Sequence, residues 1–252
     1  MKSFVIDKYT KIIDLSLPLR EDYPSTWPQM KEFAHVEFKN FPSPEDPCRT
    51  CWFTMDEHCG THCDAPGHFV KSDEHHQKES LSGEFLNLAS MQGYLNIIDV
   101  RHLVGTSGNG MSPIIHPEII ENWEKIHKKI EKNDIVALYT GWDRYYFENQ
   151  DFYLKNPVSR KHAPGWPSPS KETVVSLYEK GVNTVVIDAP SIGAVHEGIS
   201  VHQAGLRRRM IFIEGLASLG SLPPFGSYFV FLPLKLADSS GCPGRAIAYV
   251  QE

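Results

Sequence analysis

Residues 58–68, HCGTHCDAPGH, hold three histidines, one aspartate and two cysteines within eleven positions. Gly60 and Pro66 disfavour a helix here and favour an extended chain. Strand side chains alternate between two faces, so a strand that runs through this segment from about residue 51 has two different sides. The apolar side carries Cys59 and Cys63, which we predict to be buried structural residues. The opposite side carries three candidate metal ligands: His58, His62 and Asp64.

Two neutral imidazoles and one carboxylate suit Zn²⁺ or Mn²⁺ with an open position for water. A bound metal lowers the pKa of its water from 15.7 towards about 7 and so supplies a nucleophile at neutral pH. A nearby histidine that is not a ligand can then carry protons, and His68, beyond Pro66, is the candidate. A closed structural zinc site is the alternative, and Cys48-x-x-Cys51 is the spacing that fits one.

A second group of candidate ligands lies in VHQAGLRRRMIFIEG, residues 201–215. It contains His202 and Glu214. Glu214 ends a predicted apolar strand, where an unpaired carboxylate is costly and needs a metal or another cation. An ion pair with one of the arginines at 207–209 is the alternative.

Short apolar runs bounded by glycine, proline or polar residues predict strands that outnumber the helices. Apolar residues at helical spacing predict one helix within residues 116–134, with Pro117 in its first turn. Another helix is predicted from an N-cap at Ser170 to the glycine at 181. There is no internal repeat and no long linker. The pattern indicates a mixed α/β protein in which residues 1–252 form a single domain.

The chain of 252 residues has a net charge of −6, which argues against a general nucleic-acid binder. The sequence has no apolar stretch near the roughly 18 residues of a membrane span, and its N-terminus lacks the pattern of a signal peptide. Five unevenly spaced cysteines are typical of a reducing compartment rather than of a disulfide framework. We therefore expect a cytoplasmic protein that acts on a small molecule.

HCGTHCDAPGHF, residues 58–69, resembles the H-x-G-T-H-x-D-x-P-x-H-F signature of the cyclase family of metal-dependent hydrolases. That family includes bacterial kynurenine formamidases and isatin hydrolases. The resemblance covers nearly the whole chain, through IIDLSLPL near the start, LYTGW, VIDAPSI and PLKLADSSGCPGRAIA near the end. It implies the family's swivelling β/β/α fold and a homo-oligomer, either a dimer or a tetramer.

The resemblance also implies a role for each candidate residue. Asp64 would bridge two ions, His68 matches the catalytic acid/base, and Trp27 matches a tryptophan that lines the substrate pocket of the formamidases. The positions that match metal ligands are His58, His62, Asp64, His202 and Glu214.

Two features limit this comparison. Residues 143–169 are additional to a compact formamidase and are dense in aromatic side chains; a pocket-shaping loop and a packed surface excursion both remain open. Isatin hydrolases of this family rely on one Mn²⁺ and do not keep a carboxylate at the position of Glu214. The joint presence of His202 and Glu214 therefore favours the two-metal, formamidase-like arrangement.

The resulting hypothesis is a metal-dependent hydrolase that cleaves the C–N amide bond of a small aryl amide with metal-activated water. N-formylkynurenine is the leading substrate, and a cyclic amide such as isatin, or a lactone, is the alternative. The cofactor would be Zn²⁺ or Mn²⁺, one or two ions per chain. A non-catalytic protein that binds a metal or a small ligand is the alternative from another class, but such a protein has no need for a proton shuttle at His68.

Overall fold

The computed structural model describes residues 7, 10–40, 48–72 and 81–251. The described strands are β1 (Thr10–Asp14), β2 (Ala34–Asn40), β3 (Arg49–Thr54), β4 (His62–Asp64), β5 (Gln92–Asp99), β6 (Ile114–Ile115), β7 (Ile135–Tyr139), β8 (Ser168–Pro169), β9 (Thr184–Ile187), β10 (Ile211–Glu214), β11 (Phe225–Pro233) and β12 (Gly241–Gln251). The helices are α1 (Pro117–Ile126), α2 (Asp143–Glu148), α3 (Lys171–Glu179), α4 (Ile199–Leu206) and a π-helix, Asp151–Arg160. The predicted mixed α/β class is confirmed.

The main sheet is closed on itself. Its strand order is β1-β12-β11-β5-β7-β9-β10-β4, and β4 pairs in addition with β12. Seven strands thus form a ring, and β1 adds to its β12 side. The pairs β5–β7, β7–β9 and β9–β10 are parallel, whereas β4 is antiparallel to both of its neighbours. Because β4 is hydrogen-bonded on both sides, the directions of its three side chains are fixed by the sheet.

The two faces of the ring pack into two separate apolar clusters. One cluster contains alternate residues of the seven strands, including Cys63, Ile213 and Cys242. The other joins the opposite faces of β5, β7, β9 and β10 to the helices and includes Phe212, Val201 and Trp166. Side chains of even number on β4 and β10 therefore point to the helical side of the sheet.

The structure changes two local predictions. The predicted helix within 116–134 is shorter, since α1 ends at Ile126. The reason lies in Glu124, whose buried carboxylate accepts the N–H of Ile130 and turns the chain away from the helix axis. The predicted helix after Ser170 is confirmed, and the Ser170 hydroxyl accepts the N–H of Thr173 as an N-cap.

The predicted continuous strand from residue 51 to residue 64 is wrong. β3 ends at Thr54 and β4 begins only at His62, with a turn between them. Gly60 lies in this turn with φ of +64°, a conformation that glycine adopts without steric cost. In the described ranges, none of the helices has the length and apolarity that a membrane crossing requires.

Candidate metal centre

Three of the predicted ligands lie on β4 and β10 and point to the same side. In the antiparallel pair, Glu214 is opposite His62 and Phe212 is opposite Asp64. Directly opposed residues share a face, as do residues two apart on one strand. The register therefore brings the carboxylate of Glu214 next to His62 and Asp64, and it sends Cys63 to the other face. Cys59 and Cys63 are both fully buried free thiols, as predicted.

The residues between the first two histidines fix the approach to β4. The carbonyl of Gly60 lies 3.0 Å from Nδ1 of His62. The Thr61 hydroxyl donates to the carbonyl of Gly215 at 2.5 Å and accepts the N–H of Leu17 at 2.8 Å. These contacts account for the glycine and the threonine of the H-x-G-T-H pattern, because they lock the turn to β10 and to the N-terminal segment.

All three candidate imidazole ligands turn Nδ1 towards an oxygen and Nε2 towards the carboxylates. His202 on α4 has its Nδ1 2.7 Å from the carbonyl of Gly198, and Nδ1 of His58 lies 3.4 Å from Asp56 Oδ1. Because a carbonyl oxygen can only accept a hydrogen bond, the ring proton lies on Nδ1. The lone pair of Nε2 is then free to bind a cation. This is the arrangement that proteins use to orient metal-binding histidines.

His58 reaches the centre from the turn that precedes Gly60. Its Nε2 has no hydrogen-bond partner among the described residues. Gly241, which is opposite Asp64 on β12, lies directly beneath the ring, and a Cβ at that position would come within 2.6 Å of His58 Nε2. Gly241 is thus required, because a side chain at this position would block the approach of the His58 imidazole.

Asp64 is the centre of the cluster. It is 1% exposed, and neither of its carboxylate oxygens has a hydrogen-bond partner in the described part of the chain. Oδ1 lies 3.7 Å from Nε2 of both His58 and His62, and Oδ2 lies 3.5 Å from Nε2 of His202. These distances are too long for good hydrogen bonds.

A cation explains those separations. Two ligand atoms that are each about 2.1 Å from a tetrahedral ion lie about 3.4 Å apart. The Glu214 oxygens complete the set, at 3.5 Å from His62 Nε2 and 3.3 Å from His202 Nε2. The donor chemistry and the unpartnered atoms therefore fit a divalent ion, and Asp64 belongs to both of the groups of atoms that could hold one.

The orientation of Glu214 depends on a loop that was not singled out as functional from the sequence. The N–H of Ile192 donates to Glu214 Oε1 at 2.6 Å, and the Ser191 hydroxyl lies 3.3 Å from the same oxygen. Both residues belong to VIDAPSI, which was the available signal. Among the described residues, the polar partners of Glu214 are these groups and the imidazoles, so the alternative ion pair with the arginines at 207–209 is wrong.

The pKa values of the two buried carboxyl groups shift in opposite directions. Burial, and then the charge of Glu214, raises the pKa of Asp64 well above its usual range. Burial would also raise the pKa of Glu214, but the contacts with His202 and His62 outweigh it and hold that pKa below the usual range. Two buried carboxylates side by side need either protonated imidazoles or a bound cation.

His68 lies in the short 3₁₀ turn Pro66–His68, close to the other imidazoles. Its ring centroid is 4.0 Å from that of His58, and one of its nitrogens belongs with His58 and Asp64 to a group of possible ligand atoms. Burial, followed by the neighbouring imidazoles His58 and His202, lowers the pKa of His68 to about 3. The ring is therefore neutral at pH 7.

A cavity of about 330 Å³ opens onto this cluster. Trp27 forms part of its wall and packs edge-to-face on Trp166, with ring centroids 6.2 Å apart. Three side chains from residues 143–169 also contribute to the wall: Tyr146, Tyr153 and Leu154. Phe69 closes another side and stacks on His202 with ring centroids 4.3 Å apart.

Residues 13–194 match the family model described as "Putative cyclase". Kynurenine formamidase of Maricaulis maris is 28% identical over 239 residues, 94% of this chain and 97% of that protein. Isatin hydrolase of Roseibium aggregatum is 26% identical over 204 residues, 79% of this chain and 74% of that protein. The structure of isatin hydrolase A from Labrenzia aggregata bound to benzyl benzoate has a TM-score of 0.82 and 23% identity, and it covers 97% of this chain and 95% of its own.

The chain belongs to the cyclase family. The fold agrees with that of the isatin hydrolase structure, and the curated relatives are hydrolases. The protein is accordingly a hydrolase of this family, with a candidate His/Asp/Glu metal site on β4 and β10.

Proposed function

We propose that the protein is a metal-dependent amidohydrolase of the arylformamidase type, which cleaves the C–N bond of a small aryl amide such as N-formylkynurenine. The observation that carries the proposal is the buried carboxyl group of Asp64, which has no hydrogen-bond partner among the described residues. It faces the Nε2 atoms of three histidines that line an aromatic cavity. Five residues would hold one or two Zn²⁺ or Mn²⁺ ions: His58, His62, Asp64, His202 and Glu214.

A bound ion would supply Lewis acidity for the amide carbonyl and would lower the pKa of water. The remaining work falls to the chain's own groups. His68, which lies beside His58, would accept a proton from the attacking water and donate it to the leaving nitrogen as general acid/base. Trp27, Phe69 and the aromatic residues of 143–169 surround the aryl group and exclude water.

A cyclic amide such as isatin, or a lactone, is the second candidate substrate class. The length of residues 143–169 and the agreement of the fold with isatin hydrolase A favour it. Both substrate classes use the same attack on a carbonyl and differ in whether the product remains one molecule.

The test is a turnover panel with formanilides, isatins and lactones, in which the chelated protein is supplied separately with Zn²⁺ and Mn²⁺. Metal analysis should give one or two ions per chain, and activity should return only with an ion. Full activity in a metal-free preparation would refute the metal role, and metal binding without turnover of any substrate would favour a binding protein. A homo-oligomer and a cytoplasmic location are further proposals, for which light scattering and cell fractionation are the measurements.

A further inference from the structure

Tyr153 presents an unpaired hydroxyl to the cavity. The residue lies in the π-helix Asp151–Arg160, is 2% exposed and forms part of the cavity wall. Its hydroxyl has no hydrogen-bond partner among the described residues. Several other side chains carry unpartnered atoms that are sealed from solvent, but the Tyr153 oxygen is accessible. The oxygen therefore reaches the cavity. Tyr146, on the same wall, differs because its hydroxyl donates to the carbonyl of Pro18 at 2.7 Å.

The Tyr153 side chain is held rigidly. Its ring packs edge-to-face on Tyr146 at 5.2 Å, and its backbone carbonyl accepts the indole N–H of Trp142 at 3.0 Å. Burial, together with the charges of Tyr146, Asp143, Asp188 and Glu214, raises its pKa well above the ordinary value. The group is thus a fixed, protonated donor that faces the same cavity as the metal-ligand cluster. A hydroxyl that no protein group occupies can bond to water in the cavity, and a substrate acceptor can take the place of that water.

The two proposed substrate classes share one acceptor besides the scissile carbonyl. N-formylkynurenine and isatin are both anilides that carry a ketone on the ring carbon next to the nitrogen-bearing carbon. We propose that the Tyr153 hydroxyl donates a hydrogen bond to this ring ketone and thereby selects 2-acylanilides over simple anilides. The inference rests on the proposed hydrolase function and adds the determinant of its substrate class.

The test compares 2-acetylformanilide with formanilide, which differ only in the ring ketone. Both are assayed with the wild type and with Tyr153→Phe, after addition of Zn²⁺ or Mn²⁺. Tyr153→Phe should lower kcat/KM for 2-acetylformanilide by about 10- to 100-fold and change that for formanilide by less than about 3-fold. The ratio of variant to wild type on each substrate cancels the difference in their intrinsic reactivity.

Tyr146→Phe is the matched control, since it removes a hydroxyl from the same wall that is already bonded to the protein. Tyr146→Phe should change kcat/KM for 2-acetylformanilide and for formanilide by the same factor. An equal effect of Tyr153→Phe on the two formanilides, or no effect on either, would overturn the role of Tyr153 while the hydrolase function stands.

A binding measurement separates this inference from the proposed function. The deformylated products, 2-aminoacetophenone and aniline, are titrated into both proteins by calorimetry. Tyr153→Phe should weaken binding of 2-aminoacetophenone by about 10-fold and leave that of aniline unchanged. If the wild type turns over neither formanilide, the proposed function fails, but the two binding constants still decide whether Tyr153 recognises the ketone.

Discussion

Replacement of Asp64 by asparagine should stabilise the protein without metal and destabilise it with metal. Asp64 is 1% exposed, and neither of its oxygens has a hydrogen-bond donor among the described residues, so the metal-free fold buries an unsatisfied carboxyl group. Asparagine has nearly the same shape, carries no charge and can donate to the Nε2 atom of His202, which lies 3.5 Å from Asp64 Oδ2. Relief of one unsatisfied buried group is worth about 1–3 kcal/mol. A gain of about 2 kcal/mol corresponds to a rise in Tm of about 4–8 °C for a chain of this size.

The order of stability reverses when an ion is present. A ligand at 100 times its Kd stabilises the folded state by about 2.7 kcal/mol. The wild type should gain about this much with Zn²⁺ or Mn²⁺, whereas Asp64→Asn loses the shared carboxylate and should gain little. The wild type is then the more stable protein with metal, and the variant is the more stable protein with chelator.

The difference between the two metal-free proteins should also depend on pH. The pKa of Asp64 is raised in the folded state, so the folded protein holds this proton more tightly than the unfolded chain. The favourable contribution of the protonated group is present below the unfolded pKa, near 4, and is lost as pH rises through the folded pKa. The advantage of Asp64→Asn over the wild type should therefore grow as pH increases above about 4.

Thermal unfolding with chelator and with added ion measures all of these differences. Asp188→Asn is the matched control, because Asp188 is equally buried but its carboxylate accepts the N–H of Thr140, the hydroxyl of Thr140 and the N–H of Gly141. The amide nitrogen of an asparagine there would face one of these donors. Asp188→Asn should therefore lower the free energy of unfolding by about 1–3 kcal/mol with and without metal. A metal-free Asp64→Asn protein no more stable than wild type would refute the assignment of Asp64 as an uncompensated ligand.

Two further substitutions test the metal centre, and a third tests the buried carboxylate of Glu124 on α1. His68→Ala should lower turnover by about 10²–10⁴-fold with unchanged metal content, while the exposed His102→Ala should change neither; loss of metal would instead make His68 a ligand. Glu214→Gln should lower the number of ions bound per chain in metal analysis, and unchanged stoichiometry would favour a single-ion site without Glu214. Glu124→Gln should cost about 2–4 kcal/mol of unfolding free energy at pH 7, because the buried carboxylate is bonded to Ile130 and to Lys180 and Lys129.

The destabilisation caused by Glu124→Gln should depend on pH. The contacts of Glu124 lower its pKa in spite of burial. Its contribution is therefore complete above the unfolded pKa, near 4.3, and is lost as pH falls through the folded value. Chemical denaturation of Glu124→Gln and wild type should converge below about pH 4, with Glu121→Gln on the exposed side of α1 as the control. A constant difference across this range would contradict the ionic role of Glu124.

Local alternation along the chain predicted much of the centre. Because strand side chains alternate between two faces, His62 and Asp64 were expected on one face and Cys63 on the other. The structure shows this arrangement on β4. The same reasoning failed for His58, because a turn replaces the strand at residues 55–61 and the imidazole arrives from a loop. The positive φ of Gly60 causes that difference, and a glycine in a sequence does not reveal which sign of φ it adopts.

Contacts between distant segments were harder to predict. The arginines that follow α4 are near Glu214 in sequence, but the register of β10 against β4 turns its carboxylate towards His62 instead. The role of Tyr153 was equally hidden, since the aromatic density of residues 143–169 suits both a packed surface and a pocket wall. Within the described part of the chain, the hydroxyls of Tyr145 and Tyr146 have hydrogen-bond partners and that of Tyr153 has none, a difference that the sequence does not reveal.

The closed ring explains how such a short strand can organise the whole centre. β4 has only three residues, but it pairs with β10 on one side and β12 on the other. Cys63 anchors its inner face in the apolar cluster beside Cys242, while His62 and Asp64 are held outward. A larger side chain at position 63 would have to displace β4 as a unit, because interiors at this density do not yield locally. Cys63 thus serves the centre through packing, because it fixes how far His62 and Asp64 stand out from the sheet.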